Sequence, residues 1–443
     1  MRLITFPKLS GVVFCLFISC SQLQAAEPKQ AISFGPGRLQ VLGSHTDYNR
    51  GIVAATALDL GITVKLTPNP DPSDKRVTII SHMTGKDGKP MVLKYKYELG
   101  KEKKLGGWQD YFQGLTAELA DPETKKELGI DIYPPRGYLV ELTTTVPEGA
   151  GVSSSAAAEV ALTRAFREAF GFEKEIDDVM VAKIGQRIEG HFVGGSVGLM
   201  DQLTSSLSKN GSLLLMDFAD PKTPTFKIVP NKCDFEWVVF NSGVAHSLSS
   251  DHGDNFKNRV KETTEDSIRF LNERRAAAGK PALLSLSDLK ISDLDSADVA
   301  ALPEKLRRRV THIVTENARV QEGVAALMAG DSRRFGKILN RSHVSSQKNY
   351  EIVVPEVQEA WKIAMRDKDV YGAAQIGGGF GGSISVAVKK GKAQEFSTRL
   401  EQKYAAAIAK MYWLKKAEAP EGRVTVGRKP SAAKCLKSVL GNL

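Results

Sequence analysis

The stretch YLVELTTTVPEGAGVSSSAAAEVALTRAFREAFG, residues 138–171, constrains the fold more than any other part of the chain. An apolar strand delivers a glycine- and serine-rich loop, and the loop runs straight into an alanine-rich helix that closes on Gly171. At such a helix start, free backbone N–H groups and the positive end of the helix dipole attract an anion such as phosphate. Gly149 and Gly151 permit close backbone approach, while Ser153 and Ser154 add hydroxyl donors. Ser155 offers a hard oxygen of the kind magnesium prefers. The lysine that a GxxxxGK[ST] phosphate loop requires is absent. A plainer alternative is a serine that caps the helix after a tight turn.

At 443 residues the chain exceeds what one core holds, roughly 250–300 residues, so more than one domain is expected. AISFGPGRLQVLGS and GIVAATALDLGITVKLTPN read as strands, and RVTIIS and MVLKYKYEL as an antiparallel pair turned by GKDGKP. DDVMVAKIGQRIEGHF reads as one helix. The second half is expected to begin with the strands TFKIVP and FEWVVFNSG and to continue through long helices, among them EKLRRRVTHIVTENARVQEGVAALMAG. It closes with the strand SISVAV and the helix AQEFSTRLEQKYAAAIAKMY. The fold class is α+β with mixed and antiparallel sheets, in two domains at 31–222 and 223–430, followed by a basic tail at 431–443.

The formal charge is +10, but Lys and Arg are interleaved with Asp and Glu, and no basic block or aromatic-basic ladder occurs. No nucleic-acid partner is therefore expected. Residues 1–26 have a basic start, an apolar run too short to span a bilayer and a small-residue exit, the pattern of a signal peptide cleaved near Ala25. FISC loosely matches a lipidation motif at Cys20; a misassigned start codon is the competing explanation of the whole segment. Export to a periplasmic or extracellular space is the expectation, and a cytoplasmic protein if the leader is misassigned or inefficient. No membrane span follows the leader. Cys233 and Cys435 remain beyond it; their spacing does not suggest zinc, and one pair so far apart does not determine whether they bond to each other.

Three further stretches carry chemistry. GRLQVLGSHTDYNRG, residues 37–51, sets a run of hydrogen-bonding side chains after a short strand, as a pocket for a polyhydroxylated ligand requires. GLMDQLTSSL, residues 198–207, places Asp201 at a loop-to-helix junction, where it either caps the helix or serves as the base for a hydroxyl nucleophile. Glu189, on the preceding helix, is a candidate magnesium ligand or a solvated glutamate. QIGGGFGGSISVAV, residues 375–388, is a glycine-rich loop that turns tightly or lets a ligand approach the backbone.

Taken in order, GRLQVLGSHTDYNRG, PEGAGVSSSA, GLMDQ and GGGFGG resemble the signatures of the GHMP small-molecule kinases, specifically the galactokinase branch. WQDYFQG, AHSLSSDHGDNFKNR, HIVTENARV, NRSH and VPEV extend the match, which runs from about residue 35 to about residue 430. The resemblance implies a two-domain GHMP kinase fold with the active site between the domains. It implies an ATP- and Mg2+-dependent sugar 1-kinase that phosphorylates the anomeric hydroxyl of galactose or a related sugar. Asp201 then matches the catalytic aspartate, with Arg38 beside it. Ser155 and Glu189 match the magnesium ligands, and Gly149, Gly151, Ser153 and Ser154 the phosphate cradle. Trp108 matches a residue near the adenine, and His45 and Asp47 match residues that hold sugar hydroxyls. Relatives of this kind are often monomeric.

The chain departs from the pattern in places. Ser44 stands where galactokinases carry a glutamate that reads the sugar's sixth-carbon hydroxyl, which leaves room for a pentose, a deoxysugar or a uronic acid. Arg50 replaces a glycine, and its charge near the pocket is expected to favour a uronic acid. The usual helix before the first strand is missing, and the leader is unusual for an ATP-consuming enzyme. An exported kinase-fold protein that binds a sugar without turnover is the alternative; retention of Arg38, Asp201, Ser155 and Glu189 favours the enzyme.

Overall fold

The computed structural model describes residues 27–84, 90–146, 151–195, 198–244, 251–417 and 434–436. The leader, Gly149, residues 85–89 of the GKDGKP turn and all of the tail at 431–443 except 434–436 fall outside these residues. Two sheets organise the rest.

The first sheet has seven strands: β1 (Ala31–Leu42), β2 (Ile52–Pro68), β3 (Arg76–Thr84), β4 (Pro90–Glu98), β5 (Tyr138–Thr144), β6 (Ser212–Asp217) and β7 (Thr225–Pro230). The 17-residue β2 is its spine. It pairs with β1 along its length, with β5 over Ile62–Pro68 and with β6 over Ile52–Ala55. All these pairings are antiparallel; β3 joins β5 in parallel, so the sheet is mixed. The second sheet is antiparallel, with β11 (Lys434–Leu436), β8 (Phe235–Asn241), β10 (Ser383–Lys389) and β9 (Val370–Gln375) in that order. TFKIVP, expected to open the second half, is instead β7 and pairs with β6 in the first sheet. Its register is set by β6, whose Leu213 and Leu214 are buried opposite Val229 and Ile228.

The helix Ser154–Phe170 lies on β1 and β2, and small residues let it come close. Ala156, Ala157, Ala161 and Ala165 are fully buried, and Gly35 of β1 faces Ala157. A Cβ on Gly35 would lie 2.0 Å from the Ala157 carbonyl oxygen, so a larger residue there forces the helix off the sheet. Gly171, at φ 76°, ends this helix in the left-handed conformation that glycine adopts at low cost.

One core joins the halves. Leu39, Val41 and Leu42 of β1 pack with Trp237 and Val239 of β8 and with Phe335, Ile338 and Leu339 of the helix Ser332–Ser345. The end of β1 and Val146 and Val152, which flank the serine loop, share this core, while Leu199, Met200 and Leu203 pack the helix Met200–Leu207 on Val53 and Ala55 of β2 and on Leu214 and Met216 of β6. Among the described residues, no helix is long and apolar enough to cross a membrane.

Candidate active site

Arg38 projects from β1 and ties the predicted centre together. Its Nε and Nη2 donate to Oδ1 and Oδ2 of Asp201 at 2.7 and 2.9 Å, a bidentate charge-assisted pair. Its Nη1 donates to the Gly151 carbonyl at 2.7 Å, which anchors the serine loop to the same guanidinium. Ser153 sits at φ 55°, ψ 62° immediately before the helix, and its side chain makes no capping hydrogen bond. Its hydroxyl donates to Asp201 Oδ2 instead. Neither plain reading of these motifs holds: Ser153 does not cap its helix, and Asp201 makes no side-chain cap on the helix Met200–Leu207.

The consequence is an open helix start. The first intrahelical bond runs from Ala157 N to Ser153 O, so the N–H groups of Ser154, Ser155 and Ala156 have no partner within the helix. The late glycine loop closes on this region from the other half. A Cβ on Gly377 would lie 3.1 Å from the Gly151 carbonyl oxygen, and Gly377 itself has φ 72°. Close approach of two backbones is thus what the QIGGGFGG run provides.

Glu189 lies in a π-helical turn, Ile188–Val193, that interrupts the helix expected to run unbroken from Asp177 to Phe192. The wider turn places its carboxylate near Ser155, whose hydroxyl favours the charged form of the acid. Gln202 Nε2 donates to Glu189 at 2.8 Å and to Glu159 at 3.0 Å. Burial, and then the Asp201 charge, push the Glu189 carboxyl up to about 7, against the opposing pull of Ser155, Gln202 and Arg38. Burial and the neighbouring Glu189 hold Glu159 well above the usual carboxylate range. Asp201 pairs with Arg38, and Glu189 and Glu159 lie beside this pair with the Ser155 hydroxyl: a buried cluster of hard-oxygen donors whose raised carboxyls a divalent cation would relieve, which fits magnesium. Elsewhere, Glu118, Asp121 and His191 converge, but Arg187 already pairs with both acids.

The loop 43–51 forms the other wall. Asp47 opens a short 3-10 turn, and its Oδ2 faces Gly198, where a Cβ would come within 2.8 Å. Burial, and then the Asp201 charge, raise the Asp47 carboxyl to about 6. His45, at φ 63°, presents Nδ1 to the Tyr48 hydroxyl at 2.6 Å, and Tyr48 meets the Tyr350 hydroxyl at 2.9 Å. The Tyr350 ring packs against both His45 and His312, with centroids 4.6 and 4.5 Å away. Ser44 is gripped through its backbone: its N–H donates to Glu316 at 3.3 Å, and its carbonyl meets His312 Nε2 at 3.0 Å. Glu316 also accepts from Gly43 N and the Ser342 hydroxyl. Burial pushes the Glu316 carboxyl up, but Arg319, His312 and Ser342 outweigh it and hold it down at about 2.

Trp108 is half-buried and packs edge-on to Phe112, on a loop that Asp110 fastens by accepting from Leu105 N and Gly106 N. Arg50 turns away from the loop's polar run: its Nε and Nη2 donate to the Ala219 carbonyl at 2.8 and 2.6 Å. It lines a separate cleft of about 460 Å3 with Asp217, Ser287 and Gln321, so its charge does not argue for a uronic acid.

Sequence reasoning missed Glu159, Gln202, His312, Glu316 and Tyr350. Glu316 and His312 lie within HIVTENARV and Gln202 within GLMDQ, stretches noted as matches but given no role beyond Asp201.

Comparison with known proteins agrees with this geometry. Residues 114–209 match the GHMP kinases N terminal domain, residues 324–406 the GHMP kinases C terminal domain, and residues 22–68 the galactokinase galactose-binding signature. The galactokinase of Limosilactobacillus fermentum is 30% identical over 376 residues, covering 85% of this chain and 90% of that protein. The galactokinase of Thermotoga neapolitana is 30% identical over 375 residues, covering 83% and 92%. The structure of Lactococcus lactis galactokinase complexed with galactose superposes with a TM-score of 0.72 at 25% identity, covering 86% of this chain and 91% of that one. Methanococcus jannaschii mevalonate kinase, at 16% identity and a TM-score of 0.57, shares the fold, with 84% and 95% of the two chains covered. The chain belongs to the GHMP kinases, in their galactokinase branch.

Proposed function

We propose that the chain transfers the terminal phosphoryl group of MgATP to the anomeric hydroxyl of galactose or a closely related sugar. It is a galactokinase-like sugar kinase, a phosphotransferase with an alcohol acceptor. The observation that carries the reading is the Arg38–Asp201 pair, held between the open helix start at Ser154 and the polar loop 43–49.

Phosphoryl transfer asks a protein chiefly for positioning and charge stabilisation. Among the described partners, Asp201 Oδ2 accepts from both Arg38 and Ser153, whereas Oδ1 accepts from Arg38 Nε. The second lone pair of Oδ1 is the one left to receive the sugar hydroxyl. Arg38 stabilises the Asp201 charge and, through Gly151, keeps the nucleotide loop in register with it. The N–H groups of Ser154, Ser155 and Ala156 serve the phosphates. Ser155 and Glu189 would hold magnesium, which supplies neutralisation of the phosphate charge when bound. His45 and Asp47 hold sugar hydroxyls. The Tyr350 and Tyr48 hydroxyls, whose phenols burial pushes further above their ordinary value, form a hydrogen-bonded chain to His45 Nδ1 that orients the ring.

The test is ADP release by the purified protein with MgATP and galactose, galacturonate, arabinose, fucose or N-acetylgalactosamine, followed by phosphorus NMR of the product. Sugar-dependent ADP and an anomeric phosphate support the reading. ADP independent of every sugar, from folded protein, overturns it. The same reading takes residues 1–26 as an export leader. Sequencing the N-terminus of protein isolated from its native cells tests this: a mature end near Glu27 supports it, and retention of Met1 opposes it.

A further inference from the structure

Glu159 and Gln202 take no direct part in the mechanism above, yet both are fully buried at its centre. Burying a carboxylate is costly unless it is hydrogen-bonded, and two carboxylates sharing one donor are more costly still. The arrangement is nonetheless built from three elements. Glu159 follows Ser155 by one helical turn, so both point from the same face of the helix Ser154–Phe170 toward Glu189. Gln202 comes from the helix Met200–Leu207, one residue after Asp201, and its Nε2 reaches both acids. Gly185 stands one turn before Glu189, and its missing side chain makes room for the Gln202 side chain and for Glu159. A Cβ there would lie 3.1 Å from Gln202 Cγ and 3.2 Å from Glu159 Oε2.

We propose that Gln202 is a positioning residue for the metal-binding carboxylate: its amide, anchored on Glu159, fixes the orientation of Glu189 toward Ser155. The proposal rests on the reading of Ser155 and Glu189 as the magnesium pair. Outer partners that orient a metal ligand typically govern its affinity by 10–100-fold.

The experiment titrates Mn2+ into the full-length protein with a non-hydrolysable ATP analogue and reads bound metal by electron paramagnetic resonance. Gln202→Met, close in volume but without the donor, is expected to weaken Mn2+ binding by about 10–100-fold. Binding of the metal-free nucleotide stays unchanged, and in turnover the loss appears in the KM for Mg2+, with kcat largely restored at saturating metal. Gly185→Ala, which crowds Gln202 and Glu159 without removing any polar group, is expected to cause a smaller weakening in the same direction. Wild-type Mn2+ affinity in a folded Gln202→Met protein overturns the proposal. If that variant does not fold, unchanged affinity in Gly185→Ala overturns it instead. Absence of nucleotide-dependent Mn2+ binding in the wild type, or wild-type affinity in Glu189→Gln, refutes the magnesium-pair reading itself and so is told apart from failure of the Gln202 role.

Discussion

Glu316 lies far in sequence from the loop 43–51 yet holds its backbone, and replacing it measures how much the proposed sugar pocket depends on that grip. Its Oε1 accepts from Gly43 N at 3.0 Å, Ser44 N at 3.3 Å and Ser342 Oγ at 2.7 Å, while Oε2 accepts from Arg319 Nε at 2.7 Å. Glu316→Gln keeps the shape and an acceptor for the loop amides but leaves the Arg319 guanidinium, 11% exposed, without its counter-charge. A carboxyl held at about 2 rather than 4.5 contributes about 3 kcal/mol at neutral pH. That agrees with the roughly 3–5 kcal/mol cost of breaking a buried ion pair. The sign follows from the depression: the stabilisation is present above the unfolded value of 4.5 and is lost as pH falls toward 2. Urea unfolding at pH 7 should therefore show Glu316→Gln less stable by about 2–3 kcal/mol, with the gap narrowing below pH 4.5. Steady-state kinetics should show a raised KM for the sugar and an unchanged KM for ATP, because the grip is on residues 43 and 44. Wild-type stability at pH 7 would refute the electrostatic argument, and a defect confined to ATP would refute the assignment of the loop.

Other perturbations separate other parts of the account. His312 is buried and held at about 4, chiefly by desolvation, so its contribution is full above the ordinary value of 6.5 and is lost as pH falls toward 4. His312→Gln should lessen the stability lost between pH 7 and pH 5 by roughly 2 kcal/mol, read from urea titrations at both pH values. Gly35→Ala should cost about 1–3 kcal/mol by pushing the helix Ser154–Phe170 off β1; unchanged stability would contradict the close approach of these elements. Ser44→Glu restores the carboxylate that galactokinases carry and should raise the preference for galactose over arabinose about tenfold or more, the worth of a charge-assisted hydrogen bond. An unchanged sugar profile would remove position 44 from the specificity of the pocket.

The parts of the site legible in sequence are those encoded by neighbours. Arg38, His45 and Asp47 share one strand-loop stretch, and Gly151 to Ser155 share one loop-helix junction, so local patterning exposes them. What stayed hidden depends on contacts between distant segments. Glu316 acquires its role from amides 272 and 273 residues away, and Tyr350 meets Tyr48 across 302. Nothing in the helical spacing of HIVTENARV distinguishes Glu316 from a solvated glutamate. The π turn at Glu189 escaped for another reason: apolar periodicity continues through DDVMVAKIGQRIEGHF, and the register change is imposed by packing around the site. β7 escaped because a strand's pattern states that it pairs but not with which sheet, and β6 decides that. Arg50 shows the limit of reading charge by proximity in sequence, since its left-handed backbone at φ 57° aims the side chain at Ala219.

The central claim is that Asp201, steadied by Arg38, receives the sugar hydroxyl during phosphoryl transfer. The most direct test compares wild-type and Asp201→Asn protein in sugar-dependent ADP release, with nucleotide binding measured alongside. The account predicts a rate lower by about 10²–10⁴-fold, with nucleotide binding retained through the open helix start at Ser154. Wild-type turnover by the folded Asp201→Asn protein would contradict it.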